Sequence, residues 1–493
     1  MGRDENLVTL VRDRLRLHRG TPSRRLAGAL ADLAQTGALA PGTRLPSERD
    51  LAQAVGLSRG TVAAAFNVLC EEGMCERRHG SGTYVLGTPS FGGLLRSGAV
   101  VADLSTSVVP DPSHLVVPPI DAAALLRSPS GHGYDAMGDP RLRALLRGGA
   151  ACAWPASGDG GGGRGGNGDD ILITAGAQQG IDLAARVLLR PGERVLVGDP
   201  TYGGALSVFR RAGAVAVPLD LTSPAAVEDA LARHRPAAVL VVAVDNPTGA
   251  VPDLRHVAEL AAAADVPLVE DRTLAAVVYD GTPPPEPLAP LHPYGTVTVG
   301  SLSKVLWGGL RVGWLAAPEP LLARLVEAKL DADLATGAVA QRLAADLLEH
   351  NPPGPWLAEL ARRREHFTAA LAARLPAWSW ERPAGGLSVW ARLPGTDTDR
   401  FAAEAREEGV AVAPGSLFSP DGRHRDRLRL SFALPPALLD RAVAGLARAW
   451  AARHPDRHPD RHPDRHPDRH PDRHPDRHPD RHPDRHPGDR EVR

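Results

Sequence analysis

The stretch SLSKVLWGGLRVGW, residues 301–314, places a lysine directly after two alternate serines and an arginine just beyond a pair of glycines. It continues the β-branched run TVTVGS, so Lys304 stands on a strand-to-loop turn with Ser301, Ser303 and Arg311 close by. The chain has only two lysines, Lys304 and Lys329, and the rest of its fixed positive charge is arginine. An amine nucleophile therefore has two candidates. Lys329 lies in the plain helical stretch LLARLVEAKLDADL with no motif around it and reads as a surface residue. Lys304 has hydroxyls and a guanidinium beside it that can hold a phosphate.

Outward from this turn, other apolar runs also end in residues that carry chemistry. ITAGAQQGIDLAARVL leaves a strand through a turn of small residues and opens a helix, so the backbone N–H groups around Gly176, Ala177 and Gln178 form a phosphate cradle. VPLVEDRTL ends a strand on Asp271, a carboxylate able to pair with a protonated ring nitrogen. DNPTGA offers the Asn246 amide as a donor to a phenolic oxygen, and DPTYGGA offers Tyr202 as an aromatic face. Taken singly, Asp271 reads as a helix cap, Asn246 as a turn residue, Tyr202 as core packing and Arg311 as a surface charge. Together they supply what pyridoxal phosphate (PLP) needs: an amine for its aldehyde, a carboxylate for its pyridine nitrogen, donors for its phosphate and phenolic oxygens, and a ring to stack on.

The runs ILIT, RVLVGD, AAVLVVAV, VPLVED and TVTVGS alternate with Ala- and Leu-rich helical stretches, which predicts a large α/β domain with a mostly parallel sheet. In order and spacing, the segments from GYDAMGDPRLRALL (133–146) to RLRLSFA (427–433) resemble the fold type I aminotransferases. That resemblance implies the roles just given, places Arg429 where these proteins bind the α-carboxylate of an amino acid, and implies a homodimer with sites at the interface. One departure bears on chemistry. The family commonly has a tyrosine where Thr273 stands, so a second donor to the phenolic oxygen is lost or weakened, lowering catalytic competence while PLP binding survives.

Nearer the N-terminus, Leu26, Ala29, Leu30 and Leu33 recur at helical spacing. Ser47 caps a short helix that Gly56 ends, and Ser58 caps a third helix with Val62, Ala65, Phe66 and Leu69 facing inward. CERRH and TYVLG then read as a β-hairpin. Residues 41–85 resemble the winged helix-turn-helix of the GntR superfamily. Ser58, Arg59 and Thr61 start the helix that enters the major groove in this motif, and Arg49 reaches backbone phosphate. The resemblance assigns His79 and Gly80, at the tip of the wing, to the minor groove. It also puts base readout in doubt at Ala63, where the family often has a basic residue. Cys70 and Cys75 flank a turn and read as packing residues, because no second pair completes a zinc set.

The expected organisation is a winged helix-turn-helix over 19–87, a linker over 88–113, the aminotransferase-like domain over 114–452 and a tail over 453–493. The glycine-rich insert GDGGGGRGG is expected to be a mobile surface loop, and the RHPD repeat of the tail, with its recurring proline, is expected to be disordered. A formal net charge of −1 excludes a chain that is basic throughout. Through residue 87, however, twelve arginines face nine acidic residues, a balance that suits a DNA-facing module. No apolar run is long enough to span a membrane, no signal-peptide pattern opens the chain, and three cysteines build no disulfide framework, so the expected compartment is the cytoplasm.

A GntR-type module fused to an aminotransferase-like domain is the pattern of the MocR family. It implies a regulator that binds a double-stranded DNA operator and responds to PLP or to an amino compound joined to PLP as an aldimine. The other reading the residues support is a working amino-acid aminotransferase with an accessory N-terminal module.

Overall fold

The computed structural model describes residues 2–15, 18, 20–35, 39, 43–71, 74–78, 81–85, 94, 100–126, 130–148 and 171–453. His79, Gly80, the glycine-rich insert, part of the linker and nearly all of the tail lie outside the described residues.

The N-terminal module contains α1 (Gly2–Leu15), α2 (Pro22–Gln35), α3 (Glu48–Val55), α4 (Arg59–Glu71) and a hairpin of β1 (Cys75–Arg78) with β2 (Gly82–Val85). Both ends of α3 and the start of α4 have a local cause. The Ser47 hydroxyl accepts from Asp50 N at 3.2 Å to start α3, and Gly56, at φ 71°, closes it. The Ser58 hydroxyl accepts from Thr61 N at 3.1 Å to start α4. Leu26, Leu30, Leu33, Leu51, Val62, Ala65, Phe66, Leu69 and Val85 form one buried core. Helix α1 was not anticipated; it adds Val11 to that core with Leu7, Leu10 and Leu15 packed alongside.

In the large domain a seven-stranded sheet contains β4 (Ile171–Thr174), β5 (Arg194–Gly198), β6 (Val215–Leu219), β7 (Ala238–Val242), β8 (Leu268–Asp271), β9 (Thr296–Ser301) and β10 (Gly313–Ala316). Its order is β4-β10-β9-β8-β7-β5-β6, and only β10 runs against the rest. The central strands are buried along their whole length, as their unbroken β-branched runs require. Helices α7 (Ala177–Leu188), α8 (Gly203–Arg211) and α11 (Leu321–Asp333) follow strands or turns of this sheet; between them come α9 (Pro224–His234) and α10 (Arg255–Ala263). Two shorter helices, α5 (Ala122–Leu126) and α6 (Pro140–Arg147), precede the sheet.

After α12 (Ala338–His350) and the long α13 (Pro353–Arg374), β11 (Ser388–Arg392), β14 (Arg427–Ser431) and β13 (Ala413–Pro414) make a small antiparallel sheet. It packs with α14 (Thr398–Glu407) and α15 (Pro436–Arg453) around Phe401, Leu428, Leu430, Leu439 and Leu446.

The expected linker over 88–113 differs from the structure in its second half. There β3 (Ala102–Asp103) pairs in parallel with β12 (Val410–Ala411), Leu104 and Val109 are buried, and the Leu104 carbonyl accepts from Ser431 N at 2.9 Å. This segment belongs to the large domain, because a chain that buries its apolar side chains and satisfies its backbone on a sheet edge is no longer a free connector.

Candidate active site

The parallel strands β4, β5, β7, β8 and β9 end on the same edge of the sheet, and β10 begins there, so the residues just beyond those ends converge. Ligands in open α/β sheets bind at such an edge. Asp271 closes β8 opposite Val242 of β7 and Val299 of β9. Asn246 follows β7, Ser301 closes β9, Lys304 lies just past it, and Tyr202 follows β5.

Lys304 is half-buried and shares the site with the buried Asp271. Burial pushes the Lys304 amine down to about 8, with the Arg429 and Arg311 guanidinium groups acting in the same direction and Asp271 opposing them. Burial also raises the Asp271 carboxyl; the Thr273 contacts, including Thr273 N at 2.9 Å, and the Lys304 charge pull it back. The Lys304 amine donates to the backbone carbonyl of Ser107, and Trp356 Nε1 donates to the Lys304 carbonyl at 3.2 Å, fixing the turn that presents the amine. His114 stacks on Trp356 with ring centroids 4.1 Å apart.

The phosphate side of the site forms around Gly176. That residue has φ 92°, and a Cβ there would lie 2.6 Å from Arg311 Nη2, so glycine lets the guanidinium approach the turn. Arg311 Nη2 donates to the Ala175 carbonyl at 2.6 Å. No side chain caps the start of α7, which leaves its leading N–H groups for a ligand. The buried Ser301 and Ser303 hydroxyls are 2.9 Å apart. An uncapped helix start, a guanidinium and two hydroxyls around a glycine turn suit a phosphate dianion, and a buried amine with a depressed pKa suits an aldehyde. The residues present therefore fit PLP. The turn also borders a cavity of about 590 Å³ whose walls include Gln178, Arg186, Arg211 and Arg311.

Tyr202 donates its phenol to Gln178 Oε1 at 2.9 Å, and Gln178 Nε2 donates to the Gly204 carbonyl at 3.0 Å. The Gln178 side chain thus orients the aromatic face, and its backbone N–H is what remains for the cradle. A Cβ at position 204 would lie 2.4 Å from the Tyr202 ring, so glycine is needed there for the ring to sit as it does. Asn246 Oδ1 accepts from Arg429 Nη1 at 3.1 Å, which fixes the side chain with its NH₂ as the donor to a ligand. Arg429 is buried, with its guanidinium carbon 4.7 Å from the Phe418 ring centroid; it donates to the Ser105 carbonyl, and burial brings its pKa down to about 10.

The structure thus brings together every cofactor residue read from the sequence, with Arg429 beside them. Sequence reasoning missed Ser105 and Ser107, which act through backbone carbonyls in a segment read as linker, and Trp356, whose contact is likewise with a backbone atom. Lys329 corrects an expectation. It is fully buried and paired with Asp333 at 2.5 Å, because it continues the inward stripe of Leu321 and Leu325 along α11.

In the N-terminal module, Arg49, Ser58 and Arg59 are exposed and Thr61 is half-buried, its hydroxyl 2.8 Å from that of Ser58. Glu48 faces Arg59 at 3.6 Å and Arg77 at 3.2 Å, so one carboxylate holds two of the guanidinium groups near the start of α4. Cys70 and Cys75 pack with the module's core, and burial pushes the Cys75 thiol up to about 12. Among the described residues no group of His, Cys, Asp and Glu could hold a metal ion, and no helix is long and apolar enough to cross a membrane.

Residues 101–446 match the family of aminotransferases class I and II, and residues 22–85 match the gntR family of bacterial regulatory proteins. A 2-aminoadipate transaminase of Thermus thermophilus is 34% identical over 289 residues, covering 54% of this chain and 71% of that protein. An uncharacterized HTH-type transcriptional regulator of Bacillus subtilis, YisV, is 27% identical over 452 residues, covering 80% of this chain and 89% of its own. Among solved structures, LysN, the alpha-aminoadipate aminotransferase of Thermus thermophilus complexed with N-(5'-phosphopyridoxyl)-L-leucine, superposes with a TM-score of 0.64. It has 28% identity and covers 74% of this chain and 95% of that one.

Proposed function

The chain belongs to the aminotransferase class I and II family and, with its gntR-type module, has the MocR architecture of HTH-type transcriptional regulators; from that premise we propose how it works as a PLP-dependent regulator. PLP is its cofactor, as the family and the fit of the site residues agree. Lys304 holds it, with Asp271 at the ring nitrogen, Asn246 at the phenolic oxygen, Tyr202 on the ring face, and the Gly176–Gln178 turn, Ser301, Ser303 and Arg311 at the phosphate. When bound, PLP supplies an aldehyde that takes up amines and a ring that withdraws electrons. Arg429, buried and always cationic at neutral pH, binds the carboxylate of the amino-compound effector.

One observation carries the regulatory reading. The amine of Lys304 and the guanidinium of Arg429 both donate to carbonyls of one short segment, at Ser107 and Ser105, and that segment leads back towards the DNA-binding module. A ligand that engages Lys304 and Arg429 competes with those two hydrogen bonds. Ligand occupancy therefore has a differential free energy for two arrangements of the segment, which is what a switch requires. The N-terminal module grips an operator with Ser58, Arg59 and Thr61 in the major groove, Arg49 on phosphate, and His79 and Gly80 at the wing, and a homodimer in the cytoplasm presents two such modules to paired half-sites.

The experiment is to load the purified chain with PLP, record its absorbance, and footprint its upstream DNA with and without a series of amino acids and amines. The reading expects a bound-cofactor band, salt-sensitive protection of a discrete site, and a change in that protection with one class of amine. Protection that no amine or PLP alters, together with sustained turnover of an amino acid and a keto acid, would favour the aminotransferase reading, which the presence of Lys304 and Arg429 in one site also supports.

A further inference from the structure

Lys329 is one of two lysines in the chain, is fully buried, and has no part in the chemistry described above. Its amine donates to Asp333 Oδ1 at 2.5 Å. The other oxygen of that carboxylate, Oδ2, accepts from Gln179 Nε2 at 2.7 Å, and Gln179 Oε1 accepts from Ala175 N at 2.8 Å. The carbonyl of the same Ala175 receives Arg311 Nη2 at 2.6 Å. A continuous set of hydrogen bonds therefore runs from the end of α11 to the backbone N–H of Ala175, whose carbonyl, in the next peptide unit, receives Arg311 just before the Gly176 turn.

Each partner is polarised by the next. The buried Lys329 amine holds one oxygen of Asp333, the other oxygen fixes which way the Gln179 amide points, and the fixed amide leaves its oxygen for Ala175 N. Burial lowers the pKa of Lys329 while the Asp333 contact raises it, so the carboxylate favours the charged amine at a site where burial disfavours it. The Ala175–Gly176 turn cannot hold its position through side chains of its own, since neither residue has one that makes hydrogen bonds.

We propose that Lys329 is a positioning residue for the cofactor's phosphate: through Asp333 and Gln179 it fixes the turn on which Arg311 docks and at which the uncapped start of α7 lies. The inference rests on the PLP reading and adds to it a determinant of phosphate recognition that touches neither cofactor nor substrate. It acts chiefly on the phosphate end, because no hydrogen bond in the chain reaches Lys304, Asp271 or Asn246.

The test compares binding of PLP with binding of pyridoxal, which has the aldehyde and ring without the phosphate, in the full chain and its Lys329→Met variant. Methionine keeps the length and apolar stem of the lysine without its charge. The expected result is a loss of PLP affinity of about tenfold or more, as for outer partners that orient a ligand's direct contacts, with pyridoxal binding and the pH profile of its absorbance unchanged. Gln179→Leu, which leaves the Lys329–Asp333 pair intact, should reproduce the effect and serves as the second variant if Lys329→Met does not fold. Equal losses for PLP and pyridoxal, or no loss for PLP in either variant, overturn the proposal. Wild-type protein that binds neither compound overturns the cofactor reading itself, and this inference with it.

Discussion

The amine of Lys304 donates a hydrogen bond to the carbonyl of Ser107, a residue 197 positions earlier in the chain. The contact joins the nucleophile of the large domain to the stretch through which the chain arrives from its DNA-binding module.

Amide hydrogen exchange should change in residues 101–109 when PLP and an effector amine are added to the full chain, since Ser105 and Ser107 lose their partners at Arg429 and Lys304. The buried strands β7 and β8 should keep their protection. Unchanged exchange throughout 101–109 would remove the proposed route of coupling.

The rate of PLP capture by the apo protein should rise with pH and level off above about 8. The sign follows from the shift: burial lowers the amine from the ordinary 10.5, so the neutral, nucleophilic form is already the majority above about 8 and is lost as pH falls through that value. A rate still climbing at pH 10 would show a lysine with an ordinary pKa.

Arg429→Lys should keep the bound-cofactor absorbance and lower the affinity for carboxylate-bearing effectors by about tenfold or more, because an ammonium cannot reproduce the guanidinium fork that holds a carboxylate. Equilibrium titration with amino acids and with the matching amines that lack a carboxylate separates the two effects. Equal weakening of both ligand classes would count against the role given to Arg429.

Arg59→Ala should weaken DNA binding and lower the salt slope by about 1, as for loss of one phosphate contact. Its ion pair with Glu48 is 3.6 Å long and largely exposed, so folding should change little. An unchanged salt slope would take Arg59 out of the interface.

Much of this architecture was legible because local chemistry sets it. Ser47, Gly56 and Ser58 mark helix ends by the hydrogen bonds and φ values they alone favour, and the buried β-branched run ending in Asp271 marks both a strand and what waits at its end. Four features were harder to read. Ala102 and Asp103 form too short a strand to show a period, and only pairing with Val410 and Ala411, far along the chain, makes it one. Ser105 and Ser107 act through carbonyls, which every residue has. Lys329 falls in register with Leu321 and Leu325, so its burial was open to a reading by periodicity, but its charge argued for the surface until Asp333, one turn on, supplied a partner. In the first helix Leu7, Leu10, Val11 and Leu15 keep helical spacing, and interleaved charges hid it.

Because the chain has two lysines, one measurement addresses the central claim directly: reduce the PLP-loaded protein with borohydride, digest it, and locate the added mass. The account predicts a single pyridoxyl group on the peptide that contains Lys304, abolished by Lys304→Ala in a protein that still folds. A label on Lys329, or no label on either lysine, would contradict it.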